Sequence, residues 1–354
     1  LPGHSSSLAL ANPALAAPRA LDRLLALPRV ALGSWPTPIV PLVPGSGPAV
    51  LVKRDDLSQW GRGGAKARKI EHLLGAMRAQ GRDELVTVMG NITNLAFDLL
   101  PALDHAGLGG SLFIIDDPPA PPEARARIFA GVRERVTLLG PSRVAAARAV
   151  AARWLAARRE GRRPLWTFPG VSHPSAVLGN AHGLVEMVLQ RSAERRPIPR
   201  VVFVSAATGT TVAGFLLGAH VLREAGFPDV RVIGVQVYPG ALRRSVYWLL
   251  RWAERHLRLA TPVPSGRIEI IDGQLHGGFG CFPDGLATTC ERLADETGLF
   301  VDPIFGGKTW VAMEEHLLRA RPRDEEVLYW HCGYTPEWRQ LGQRQATRTG
   351  REAP

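Results

Sequence analysis

Cysteine is scarce in this chain of 354 residues: Cys281, Cys290 and Cys332 are all it has. They have neither the count nor the spacing of a disulfide framework or a zinc site, so no metal is expected and a reducing cytoplasm is the expected home. Long apolar runs are missing as well. No uninterrupted stretch approaches the roughly 20 residues of a membrane-spanning helix, which argues against a membrane protein. The alanine-rich stretch 8–17 is apolar but has no basic flank before it, so it reads as a leader to the first helix and not as a signal peptide. Aromatic-interleaved basic patches and nucleic-acid motifs are also absent, despite a formal net charge of +11. The arginines are scattered along helix-like segments, as in Arg125, Arg127 and Arg133, and lysine is rare. The charge therefore reads as solvated faces with some attraction for anionic ligands, not as a nucleic-acid surface.

The composition that remains is that of a globular chain, with 45% hydrophobic and 21% charged residues. Its length exceeds one ordinary core and predicts two domains. Strand-like and helix-like segments alternate almost throughout, which predicts an α/β architecture with largely parallel sheets. Strands are predicted at 85–89, 112–115, 136–139, 165–168, 201–205, 230–237, 268–271 and 327–330. Ile70, Leu73, Leu74 and Met77 recur at helical spacing, and Gly81 ends that helix. Further helices are predicted over 123–133, from a Ser142 cap to about 159, over 211–225 and 283–297, and over 309–319. No internal repeat is visible.

The most informative segment is Val52-Lys53-Arg54-Asp55-Asp56-Leu57, followed by Gly63-Gly64-Ala65-Lys66-Ala67-Arg68-Lys69-Ile70-Glu71. It places Lys66 directly after a glycine turn and at the mouth of a helix. An amine held in a pocket there, beside other cations, loses its preference for the ammonium form. A neutral amine of this kind is the nucleophile needed to join an aldehyde cofactor such as pyridoxal phosphate. The plain alternative is a basic helix N-terminus on the surface. The pattern resembles the KRDD…GGNK-x-RK-x-E segment of the D-cysteine desulfhydrase and 1-aminocyclopropane-1-carboxylate (ACC) deaminase family. The resemblance extends over about residues 32–334.

That resemblance implies a two-domain fold-type II enzyme with pyridoxal 5'-phosphate as cofactor. Each domain is then an open twisted, mostly parallel sheet flanked by helices. Residues 1–67 and 171–340 would form the large cofactor-binding domain, 68–170 the small domain, and 341–354 a polar tail expected to be disordered. Lys66 falls where the family keeps its Schiff-base lysine, and Lys69 matches a second lysine that adds charge for the phosphate. A small amino-acid substrate and a homodimer are implied too.

Two strand–turn–helix junctions carry anion-binding chemistry. Strand 201–205 runs into Ala207-Thr208-Gly209-Thr210-Thr211, where backbone N–H groups and a helix dipole converge. The family's phosphate loop, G-S-G-G-T-x-A-G, occupies this place; Ala207 and Thr210 replace two of its glycines. Hydroxyls of Thr208, Thr210 and Thr211 are placed to donate to phosphate, although an ordinary threonine-capped turn would look similar. Strand 85–89 runs into Gly90-Asn91-Ile92-Thr93-Asn94-Leu95-Ala96, where the family carries Q-S-N-H or Q-S-N-Q. Thr93 and Asn94 are thus implied to receive the substrate carboxylate, with Thr93 catalytic and Asn94 also near the cofactor ring; a helix cap is the alternative.

The departures from the family pattern shape the expected chemistry. Phe279 and Phe305 stand where ACC deaminases carry tyrosines, and neither can donate or accept a proton. Gly306 removes the glutamate that bonds the pyridine nitrogen there, and Cys332, in His331-Cys332-Gly333-Tyr334, becomes its nearest neutral partner. Tyr334 is expected at the pocket with Phe279 and Phe305. A ring without a carboxylate partner favours elimination or replacement. The expectation is a lyase or deaminase acting on a small amino acid. One alternative is a specialised biosynthetic enzyme performing β- or γ-replacement or cyclisation on a bulkier or modified amino acid. A second is a non-catalytic ligand-binding relative.

Overall fold

The computed structural model describes residues 16–43, 50–320, 327–336 and 338. Most of the apolar leader and the polar tail, 341–354, lie outside the described residues. The first part of the chain runs α1 (Ala16–Leu25), β1 (Ile39–Leu42), β2 (Val50–Arg54), α2 (Lys66–Ala79), β3 (Glu84–Met89), α3 (Leu95–His105) and β4 (Gly109–Ile114). Then come α4 (Pro122–Ile128), β5 (Val136–Leu138), α5 (Arg143–Arg159), β6 (Pro164–Trp166), α6 (Pro174–Ala193), β7 (Val201–Ala206) and α7 (Thr210–Glu224). The last are β8 (Arg231–Gln236), α8 (Leu242–Leu257), β9 (Glu269–Ile271), α9 (Asp284–Thr297), α10 (Gly306–Ala320) and β10 (Val327–His331). No helix among the described residues is long and apolar enough to cross a membrane.

The strands form two sheets, in the orders β1-β2-β10-β7-β8-β9 and β5-β4-β3-β6. Every pairing is parallel except β1 with β2. Helices cover both faces, so the inner strands bury both sides and read as near-continuous apolar runs, as in VVFVSA of β7. β1 carries Pro41, which cannot donate to a ladder and sits accordingly on an edge strand. Ser142 caps α5 as expected, its Oγ accepting from the Ala145 N–H at 3.2 Å. The single helix predicted over 123–133 is a correction: α4 stops at Ile128 and a 3-10 turn covers Ala130–Arg135. Gly131 lowers helix stability there, and Phe129 turns inward to stack on Phe97 at 6.2 Å.

Parallel order puts the C-terminal ends of the strands together. β3, β4, β7, β8 and β10 each run into a loop that lines one cavity: 90–94, 115–117, 207–211, 237–238 and 332–335 respectively. Ligand sites in open α/β sheets lie at this end of the strands.

Candidate active site

The basic look of the Lys53-Arg54-Asp55-Asp56 segment hides an interior role. Lys53 is 0% exposed; its Nζ donates to the Thr37 carbonyl and to Gln190 Oε1 and pairs with Glu186, each at 2.8 Å. Asp55, also 0% exposed, accepts from Arg68 Nε and Nη2 at 2.8 Å, Thr37 Oγ1 at 2.8 Å and Trp330 Nε1 at 2.7 Å. Arg68 continues to Glu186 at 2.8 and 2.9 Å. Burial pushes the Glu186 carboxyl up, but the hydrogen bonds and charge of Arg68 and Lys53 outweigh it and hold it at about 2. The backbone carbonyl of Asp55 takes the N–H groups of Ser58 and Gly64. Gly64 has φ +115, and a Cβ there would run into the Cys332 carbonyl, so only glycine fits this turn. The next residue, Ala65, donates its N–H to that same carbonyl at 3.2 Å. The whole assembly clamps the start of α2, and therefore Lys66, against the loop after β10.

Lys66 lines the cavity, and among the described residues its amine makes no hydrogen bond or ion pair. Lys69, one turn on, donates to the Gly170 carbonyl at 2.7 Å. Burial first, and the Lys66 charge second, lower its amine to about 7. Asp302 sits 1% exposed on the cavity wall and accepts from the backbone of Ile304, Phe305 and Thr335. Burial pushes its carboxyl up to about 6 against those bonds. This carboxylate was not singled out from the sequence, although its place at the head of Asp302-Pro303-Ile304-Phe305 was an available signal.

Ala207, Thr208, Gly209, Thr210 and Thr211 form one wall. Gly209 has φ +92 and precedes α7, whose first N–H groups lack helical acceptors and so face this wall. Thr210 Oγ1 lies 3.1 Å from Thr208 Oγ1 and 2.9 Å from Ser172 Oγ, a relay of hydroxyls under the loop. Ser205 Oγ, at the end of β7, is 2.7 Å from Thr309 Oγ1. Thr93 and Asn94 also line the cavity. Thr93 Oγ1 accepts the Leu95 N–H at 3.0 Å. The Asn94 amide is heavily committed: Oδ1 accepts from Arg62 at 2.9 Å, and Nδ2 donates to Tyr334 O and Thr335 Oγ1 at 3.1 and 3.0 Å. Its side chain ties the loop after β3 to the loop after β10.

Phe279, Phe305 and Cys332 line the cavity as the sequence led one to expect; Tyr334 does not. The Tyr334 hydroxyl instead accepts from Trp338 Nε1 at 3.0 Å, and its ring meets the edge of Phe300, which turns it away from the cavity. Burial pushes the Cys332 thiol up to about 12, so it stays neutral. Sequence reasoning missed the phenol that is present. Tyr238, two residues after the end of β8, packs its ring against Phe279 at 4.8 Å and donates its hydroxyl to Asp117 Oδ2 at 3.1 Å. Arg143 donates to both, at 2.8 and 3.2 Å. Nothing in local sequence joins residues 117, 143 and 238; only the meeting of the two sheets does. The cavity encloses about 1110 Å³.

The geometry agrees with relationships detected by comparison with known proteins. The model of the pyridoxal-phosphate dependent enzyme family matches residues 30–333. Nocardicin C-9' epimerase of Nocardia uniformis subsp. tsuyamanensis is 32% identical over 88% of this chain and 94% of its own. The 1-aminocyclopropane-1-carboxylate deaminase of Burkholderia vietnamiensis is 27% identical over 87% of this chain and 95% of its own. Among solved structures, an ACC deaminase homologue superposes with a TM-score of 0.75 at 26% identity, covering 89% of this chain and 94% of the other.

Proposed function

The chain belongs to the pyridoxal-phosphate dependent enzyme family, and from that premise we propose that it is a lyase or deaminase acting on an amino acid at the cavity around Lys66. The observation that carries this is that the unpartnered Lys66 amine lines the same cavity as the hydroxyl and N–H wall of residues 207–211. An anion at the head of α7 meets free N–H groups, the helix dipole and the Lys69 ammonium, which suits a phosphate. When bound, pyridoxal phosphate supplies an aldehyde for a lysine amine and a ring that withdraws electrons from a substrate's α-carbon.

Lys66 would hold the cofactor through its amine and would carry the proton of the substrate Cα. The Thr93 hydroxyl and the first N–H groups of α3 bind the substrate carboxylate, while Asn94 holds their loop in place through Arg62 and Thr335. Thr208, Gly209, Thr210 and Thr211 hold the phosphate with Lys69. Cys332, kept neutral by burial on the cavity wall, would place no charge beside the bound ring. Phe279 and Phe305 exclude water from one wall without exchanging protons. We take residues 68–170 as the small domain, 1–67 with 171–340 as the large one, and a cytoplasmic homodimer as the working form.

Purified protein with added cofactor is expected to absorb near the edge of the visible and to release keto acid and ammonia from an amino acid. Lys66→Ala should lose both. Absorbance that is unchanged in that variant overturns the reading. Similarity to an epimerase favours a second reading, in which Lys66 returns the α-proton without elimination. Solvent deuterium entering Cα with no keto acid formed would identify it.

A further inference from the structure

The cavity is larger than the chemistry around Lys66 requires. Its volume of about 1110 Å³ exceeds the roughly 300–1,000 Å³ range of ligand pockets. The residues assigned to cofactor and substrate carboxylate form one end. The rest is an arm that leaves this end beside Arg143 and descends along α5. α5 runs antiparallel to the strands of its sheet, so the arm leads away from the strand ends where cofactors sit, toward the start of β3 and β6. From Arg143 to Leu155 the helix rises about 18 Å at roughly 1.5 Å per residue, which sets the arm's length.

Its lining is apolar. α5 carries two apolar stripes. Ala146, Val150 and Ala157 are buried. Ala147, Ala151 and Leu155 form the second stripe, which lies uncovered; Leu155 is 48% exposed. Small alanines keep the arm open, and Trp154 and Trp166 flank its lower half. At its foot stands Arg82. One Nη of Arg82 donates to the Pro164 carbonyl at 3.3 Å, and its Nε is buried with no hydrogen-bond partner among the described residues. The residue still lines the cavity, and a planar guanidinium at the end of an apolar arm suits a carboxylate.

We propose that the arm is a side-chain subsite, and that the substrate is an amino acid with a long apolar side chain ending in an acidic group. This rests on the reading of Lys66 as the cofactor-bearing end. The occupant follows from continuity: the arm and the Lys66 end are one cavity, so a molecule bound at the amine extends naturally into it.

The test is the cofactor spectrum of the holoprotein, titrated with racemic straight-chain 2-amino acids of increasing length, alanine upwards, and with the matching 2-amino dicarboxylic acids. Each methylene entering the arm is expected to lower Kd about fourfold. At matched length the diacid should bind about tenfold more tightly, a margin that Arg82→Gln removes. Ala151→Phe and Ala147→Leu fill the arm from an exposed face, so they should return long substrates to the alanine value and leave alanine itself unchanged. A Kd that does not change with length overturns the proposal. A length dependence without the diacid margin overturns the acidic terminus. Flat affinities together with an altered sedimentation coefficient in the filled variants would mark the face as an interface between copies and overturn the subsite. If no amino acid, alanine included, changes the spectrum, the fault lies with the Lys66 reading; if alanine alone does, it lies with the arm.

Discussion

Two adjacent aspartates, Asp55 and Asp56, should behave very differently when each is changed to asparagine. Asp55 is fully buried and receives four side-chain hydrogen bonds, two of them from Arg68. An amide at that position turns one acceptor oxygen into a donor, facing donors from either Arg68 and Trp330 or Arg68 and Thr37. Removing one partner of a buried ion pair costs about 3–5 kcal/mol, a large share of a typical total of about 5–15 kcal/mol. Asp56 pairs with Arg54 at 2.7 Å, but both side chains reach solvent. Losing a half-buried pair that water still reaches costs less, about 1 kcal/mol. Urea denaturation followed by tryptophan fluorescence reads both values directly, since Trp330 reports on Asp55. Equal costs for the two variants would refute the claim that Asp55 is the keystone behind Lys66. The same experiment on cofactor affinity should show Asp55→Asn weakening it, because Arg68 lies between Lys66 and Lys69 on α2.

Acid should destabilise the protein from an unusually high pH. Burial lowers His72 to about 3 and His173 and His182 to about 4, below the unfolded value of 6.5, so the unfolded chain binds protons first. Their stability is fully present above pH 6.5 and falls by about 1.4 kcal/mol per pH unit for each as pH drops toward 4. Glu186, at about 2 when folded against 4.5 unfolded, adds a loss that starts below pH 4.5; a melting temperature constant from pH 7 to 5 would contradict the histidine loss, and one constant from pH 4.5 to 3 the Glu186 loss. Lys69, lowered to about 7, must be protonated to hold an anion. Sulfate binding to the apoprotein, measured by calorimetry, should therefore weaken above pH 7, and Lys69→Arg should flatten that profile; an unchanged slope in the variant removes Lys69 from the anion site. Gly209→Ala places a Cβ 2.9 Å from Val246 Cγ2 at φ +92. It should cost about 1–3 kcal/mol of stability and weaken cofactor binding, and a neutral result would show that the turn can relax.

Much of this architecture was legible in the chain, and what was not has physical reasons. Strands such as β7 and β10 declared themselves because both faces are buried, leaving unbroken apolar runs between turn signals. The helix start at Ser142 followed from capping chemistry, and α9, predicted to 297, stops at Gly298 in the left-handed region at φ +70. β1 and β2 escaped because they are short runs, β1 broken by Pro41 and β2 ending in charged Lys53 and Arg54, and the Gln190 and Glu186 that bury Lys53 lie far along the chain. The lysine and threonine loops of the site were visible because their residues are contiguous. The Tyr238 bridge and the arm along α5 were not, since each arises where distant segments meet. Tyr334 misled because proximity in sequence to Cys332 says nothing about which way a ring turns.

The Tyr238–Asp117–Arg143 bridge joins the two sheets at the rim of the cavity, and it is partly bathed in solvent: the Arg143 side chain is 74% exposed. Salt screens charges in such a position, over about 8 Å at physiological strength. Tyr238 also leans on Phe279, so loosening the bridge frees a ring of the cavity wall. Ionic strength thereby becomes a handle on how readily the two sheets part and admit a guest, independent of any charge the guest carries.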